Sequence, residues 1–203
     1  MSIKEDILEQ LVDDWLQARG YFTRHNLKFK PSEEADGYSR LHDSVASDID
    51  VIGIHPLLSG WQRVQVVSCK SWQGGFSPAR WISRIEEDKV VFGKAAWKSF
   101  RELAHPRWSS AFLDAVEKIT GSREFTYVTA VTSLRGDPGP WERHAPFARA
   151  LEGNPLQVVT LKQMAEEVAA GIGTTVASSH LGRTLQLLKA AGFKLVEGVP
   201  GAP

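Results

Sequence analysis

Ser47-Asp48-Ile49-Asp50-Val51-Ile52-Gly53-Ile54 and, a little further on, Arg63-Val64-Gln65-Val66-Val67-Ser68-Cys69-Lys70 are the stretches on which the fold turns. Each is an apolar run of strand length bounded by polar or Gly-containing connectors. Between them, His55-Pro56-Leu57-Leu58-Ser59-Gly60 carries Pro and Gly and reads as a hairpin connection. An antiparallel pair joined in this way brings Asp50 and Lys70 side by side at one end of a sheet. A carboxylate able to hold a divalent cation then adjoins an ammonium able to orient water or steady a phosphate. That is the minimum set for cutting a phosphodiester.

Working outward, residues 3–19 form the clearest helix. Ile3, Ile7, Leu8, Leu11, Val12, Trp15 and Leu16 make one apolar stripe, and Gly20 ends it. Residues 21–30 supply a first strand. Residues 31–43, rich in acidic side chains, Ser and Gly, read as an exposed loop able to reach over the site. After Lys70, the turn-rich connector Ser71-Trp72-Gln73-Gly74-Gly75-Phe76-Ser77-Pro78 leads into a long helix over residues 79–103. Residues 125–132 form another central strand and 156–159 a short final one, with Thr160 capping a helix over 161–170. A last helix covers 180–190 and stops at Gly192. The class expected is α/β, a central mixed sheet flanked by helices. A core domain over 1–160 is followed by a C-terminal helical extension over 161–203.

With 203 residues, 42% of them hydrophobic, the chain can bury one full α/β core. The N-terminus lacks an apolar signal segment, and no apolar run approaches the ~18 residues of a membrane span. A cytoplasmic location without a membrane partner is the expectation. Cys69 is the only cysteine, which excludes an internal disulfide and a cysteine-rich zinc site. The six His never fall into the close pairs of a zinc hydrolase. Net charge is zero, from 24 basic and 24 acidic side chains, so bulk electrostatics would not coat this protein with DNA. The distribution is uneven: residues 63–107 hold nine basic against four acidic residues, and 1–50 hold eleven acidic against six basic. A basic rim beside an acidic metal site is compatible with that pattern.

Asp50, followed on the next strand by Ser68-Cys69-Lys70, resembles the PD-(D/E)xK nuclease superfamily of restriction endonuclease-like and resolvase-like enzymes. The resemblance spans residues 1–160 and implies a restriction endonuclease-like core. In that family one strand carries a metal-binding Asp, and the next carries Glu-x-Lys, whose Lys serves the attacking water. Asp50 and Lys70 match; Ser68 stands where the Glu belongs. Some restriction endonucleases carry Ser-x-Lys and take the missing carboxylate from the following helix, and Glu86, Glu87 and Asp88 lie at about that distance. With Trp81, Ile82, Ile85, Phe92 and Ala96 as the buried face, Glu86 borders it and Glu87 points away. Asp88 falls within the stripe, a costly place for an unpaired carboxylate. Glu86 is therefore the expected replacement ligand.

Glu9 on the first helix is a further candidate, since the resolvase-like branch places a Glu about three turns before the helix-ending Gly. The resemblance thus implies Mg²⁺, with Mn²⁺ as a substitute, held by Asp50, Glu86 and Glu9, and Lys70 on the water. Ser68 would hydrogen-bond a water or phosphate, and Asp48 would share the site or bind the outer waters around it. Cys69 alternates away from Ser68 and Lys70 and is expected to be a buried small hydrophobe. DNA is the expected partner, met by Gln73, Trp72, Arg80 and Arg84, with Lys94, Lys98 and Arg101 as further phosphate partners. A homodimer would let two such sites address both strands. Two functions stay open: a metal-dependent DNA endonuclease, and a catalytically inactive nuclease-fold protein acting as a nucleic-acid-binding or scaffold module.

Overall fold

A mixed sheet of five strands organises the computed structural model, which describes residues 6–171 and 179–193. In chain order the strands are β1 (Phe22–Phe29), β2 (Ser47–Ile54), β3 (Val64–Lys70), β4 (Val90–Val91), β5 (Lys94–Ala95), β6 (Thr126–Val131) and β7 (Leu156–Thr160). β4 and β5 form a small separate hairpin; the rest lie in the order β1-β2-β3-β6-β7. The β1–β2–β3 part is antiparallel, as the Pro- and Gly-containing connector predicts, and β3–β6–β7 is parallel. Parallel sheets need cover on both faces, and the helices provide it.

On one face lie α1 (Ile7–Ala18), α8 (Leu161–Gly171) and α9 (His180–Ala190). Leu8, Leu11, Val12, Trp15 and Leu16 of α1 pack with Met164, Val168 and Leu185 on Val51, Val67, Val128 and Ala130. Asp6 starts α1 by accepting from the Leu8 N–H at 2.8 Å. Gly53 lets α1 approach closely, because a Cβ there would meet Leu16 Cδ1 and Tyr21 Cβ at 3.2 Å. Ile7, expected on the buried stripe, is 64% exposed; Ile3 lies outside the described residues.

The other face carries α3 (Pro78–Glu86), α4 (Arg101–Ala104), α5 (Pro106–Thr120), α6 (Gly139–Glu142) and α7 (Ala145–Ala150). Trp81, Leu103, Trp108, Phe112, Val116, Trp141 and Phe147 bury the sheet residues Ile52, Val64, Val66, Tyr127 and Val131. Two of these elements differ from the sequence expectation. The long helix over 79–103 is broken after Glu86: Asp88 takes a left-handed φ of 48°, and Val90-Val91 turns back onto Lys94-Ala95. The two turn residues, Phe92 (φ 52°) and Gly93 (φ 75°), both have the left-handed backbone that matches the twist of a tight hairpin. Phe92, expected in the core, is 85% exposed. The chain then makes a 3₁₀ turn over Ala96–Ser99 before α4. α5 was not expected at all, although Pro106 occupies its first turn and Gly121, left-handed at φ 68°, closes it.

Nor is the 31–43 segment simply an exposed loop. It ends in the short helix α2 (Arg40–Asp43), whose Asp43 is fully buried. The Asp43 carboxylate accepts from the Ser39 N–H at 2.8 Å, the Arg107 Nε at 2.7 Å and the Trp108 Nε1 at 2.8 Å. Among the described residues no helix is long and apolar enough to cross a membrane.

Candidate metal and phosphodiester site

A fork in the sheet makes the site. β2 stays paired with β1 along its length, from Phe22↔Ile54 to Phe29↔Ser47. It pairs with β3 only from Ile54↔Val64 to Val51↔Val67. β3 meanwhile remains with β6 as far as Lys70↔Val131. Beyond Val51 and Val67 the two strands therefore part. The Cys69 N–H, facing the gap, is taken by the Asp50 carboxylate, with Oδ2 at 2.6 Å.

The backbone is irregular at this point. Asn26, opposite Asp50 in the β1–β2 alignment, has φ 53°, and the pair drops out of the ladder. Val51 packs on the α1 side of the sheet, whereas Ile49, two residues away, packs on the α5 side. Regular alternation would put both on one face. Leu27 and Phe29 likewise join the α5 side, while Thr23 and His25 reach Asp13 on α1, with Thr23 Oγ1 at 2.5 Å and His25 Nε2 at 3.1 Å. Both strands thus reverse their faces at Asn26 and Asp50, which turns the Asp50 carboxylate into the gap beside β3.

On β3, Val64 and Val66 face the α5 side and Val67 the α1 side, so Ser68 and Lys70 share the face of Val64 and Val66. Lys70 Nζ lies 5.1 Å from the Phe100 ring centroid. The cleft has a volume of ≈ 410 Å³ and brings together Asp48, Asp50, Ser68, Lys70, Lys98 and Glu102. Glu102, on α4, is only 6% exposed, and its Oε1 accepts from the Tyr127 hydroxyl. A second cavity of ≈ 390 Å³ beside α4, α5 and α7 includes His105, Arg149 and Glu152 but no buried carboxylate.

Electrostatics mark the same place. Burial is the main force raising the Asp50 pKa; Lys70 and the Cys69 N–H oppose it, and Glu102 and Asp48 add to it. Glu9 is also raised, first by burial, then by Asp50 and Asp6. Burial, with Asp50 and Glu9 beside it, pushes the Cys69 thiol well above its ordinary value, so it is no thiolate nucleophile.

Of the residues expected at the site, Asp50, Ser68 and Lys70 converge. Glu9 feels Asp50 from the α1 face but does not line the cleft. Glu86 does not join them. It ends α3, its side chain is 56% exposed, and Oε1 lies 3.5 Å from His144 Nε2. The expectation that it would join them is corrected: α3 ends at Glu86, outside the cleft wall, and α4, beyond the hairpin, brings Glu102 to that wall. Asp48 lines the cleft, though Lys28 Nζ holds it at 2.5 Å. Trp72 lines it too, but its ring is stacked on Trp81 at 4.4 Å between centroids, so one face is closed to a base. Arg84 packs over Trp81 at 5.4 Å; Gln73 and Arg80 are exposed and stand outside the cleft wall.

Sequence reasoning missed Glu102. The available signal was a carboxylate between the apolar residues Phe100 and Leu103, an expensive position without a partner. Among the described residues no group of three His, Cys, Asp or Glu side chains is gathered closely enough to cage a metal. No protein-family model, curated protein or solved structure matches the chain.

Proposed function

We propose that this chain is a metal-dependent DNA endonuclease of the PD-(D/E)xK type in which Glu102 supplies the carboxylate missing from the Ser-x-Lys strand. The observation that carries this reading is the sheet fork, where Asp50, Ser68, Lys70 and the buried Glu102 open into one cleft. The donors suit a hard cation: each carboxylate has an oxygen that its bond to Cys69 or Tyr127 does not use, and a hydroxyl lies beside them. Asp50 and Glu102 would hold Mg²⁺ or Mn²⁺, with Glu9 adding negative potential from the α1 face. Bound there, the metal would supply Lewis acidity toward a phosphate and a bound water of lowered pKa. Lys70 does the chain's own share, orienting the attacking water and offsetting charge that develops on the phosphate. Lys98 in the cleft wall, with Arg80, Arg84 and Gln73 outside it, would contact the DNA backbone.

The test is cleavage of supercoiled, linear, single-stranded and branched DNA in Mg²⁺ or Mn²⁺. Asp50→Ala, Lys70→Ala and Glu102→Gln should each lose roughly 10²-fold or more in rate while still binding DNA. Glu86→Ala should cleave like wild type. Cleavage that survives Asp50→Ala would refute the assignment.

A second reading keeps the surface without the chemistry: a nuclease-fold module that binds nucleic acid or serves as a scaffold. The lack of a ready three-ligand cage among the described residues favours it. DNA binding without cleavage in either metal would select it.

A further inference from the structure

We infer that Tyr127 is a positioning residue for the cleft: its hydroxyl holds one oxygen of Glu102 and thereby sets which oxygen is offered to a cation. The inference rests on the metal-site reading above and goes beyond it.

Tyr127 belongs to β6, beside Val66 on β3, and its ring is buried against Phe112 at 5.9 Å between centroids. Its hydroxyl donates to Glu102 Oε1. The bond ties β6, the strand beside β3, to the helix that brings Glu102 to the cleft. A phenol has a single proton to donate. With that proton directed at Oε1, Oε2 is the oxygen left for a cation.

A role in packing alone does not account for the pair. A buried carboxylate met by a neutral donor is a poor way to fill a core, and apolar residues of similar volume would be as stable or more so. Glu102 and Asp50 also line the same cleft. Two carboxylates that open into one cleft make physical sense if a cation is to lie between them, and a fixed carboxylate binds it better than a mobile one.

The experiment is titration of the full chain with Mn²⁺, followed by the electron paramagnetic resonance of free ion, for wild type, Tyr127→Phe, Glu102→Gln and the double variant. Tyr127→Phe should weaken Mn²⁺ binding by about 10–100-fold. Glu102→Gln should weaken it at least as much, and the double variant no further than Glu102→Gln alone. Cleavage by Tyr127→Phe should recover as Mn²⁺ is raised, which a merely structural residue would not produce. If Tyr127→Phe does not fold, Glu102→Asp, whose shorter side chain loses the Tyr127 hydroxyl, should weaken Mn²⁺ binding by about 10-fold. Wild-type affinity in Tyr127→Phe, or independent losses that multiply in the double variant, would overturn the inference and leave the metal site standing. Absence of Mn²⁺ binding by wild type would overturn both.

Discussion

Asp50 and Asp43 respond to pH in opposite directions. Asp50 keeps its proton more tightly in the folded chain than in the unfolded one, mainly because it is buried. Its contribution to stability is complete below the ordinary value of 3.8 and is lost as pH rises through the raised folded value. Glu9 acts in the same sense above its ordinary 4.5. At Asp43 burial also pushes upward, but the bonds from Ser39, Trp108 and Arg107 outweigh it and hold the pKa down. Its contribution is therefore present above the ordinary 3.8 and is lost as pH falls through the lowered value. Asp50→Asn should stabilise the metal-free protein at pH 7 by about 0.5–2 kcal/mol, as relief of strain at a functional site commonly does, while abolishing Mn²⁺ binding. Urea unfolding at pH 4 and pH 7 measures it, and a destabilised variant would show that the Cys69 N–H needs an anion. Asp43→Ala should cost about 3–5 kcal/mol by stranding Arg107 and the Trp108 indole N–H. Asp50 and Lys70 were legible in the sequence because strand order and chemistry name them together. Glu102 was not, because a helical period carried through residues 87–99 puts it on the wrong turn of an element that does not exist.

At the level of elements, β2 and β3 could be read from their apolar runs and the Pro-Gly connector, and the antiparallel pairing followed. What the runs did not show is where the pairing stops. The stop coincides with Asn26, an ordinary polar residue of β1 by sequence, whose φ is 53°. Asn tolerates the left-handed region and β-branched residues do not. Asn26→Val should therefore cost about 1–2 kcal/mol, and Asn26→Gly little or nothing, by thermal unfolding. If the face reversal positions Asp50, Asn26→Val should also weaken Mn²⁺ binding although residue 26 is exposed and on a different strand. Equal stability of the two variants would mean that the fork is set elsewhere. The hairpin at 90–95 escaped notice because Val90, Val91 and Phe92 satisfy a helical stripe as well as a strand. Their β-branched and aromatic character, followed by Gly93, was the better guide.

Across the whole molecule the boundary expected at residue 160 meets a continuous core. α8 buries Met164, Ala165, Val168 and Ala169, and these pack with the α1 residues that cover Val51 and Val67. Polar bonds reinforce the seam: Trp15 Nε1 donates to Glu167 Oε2 at 2.5 Å, and Ser179 Oγ donates to Asp14 Oδ2 at 2.6 Å. α1 in turn reaches the cleft, since Ser71 Oγ donates to Asp6 Oδ2 at 2.8 Å. The helices beyond 160 therefore back the layer that supports the fork. A chain ending at Thr160 would lose the burial of Met164 and Val168, about 1.5–3 kcal/mol for each side chain, and would expose the apolar face of α1 to water. Against a typical total stability of about 5–15 kcal/mol, that loss is large enough to remove cooperative folding. Urea unfolding of the truncated and full chains, followed by Trp fluorescence, should show a sharp transition only in the full chain. A truncated chain with an unchanged midpoint would make the C-terminal helices an independent module and would free α1, and the cleft it supports, from any dependence on them.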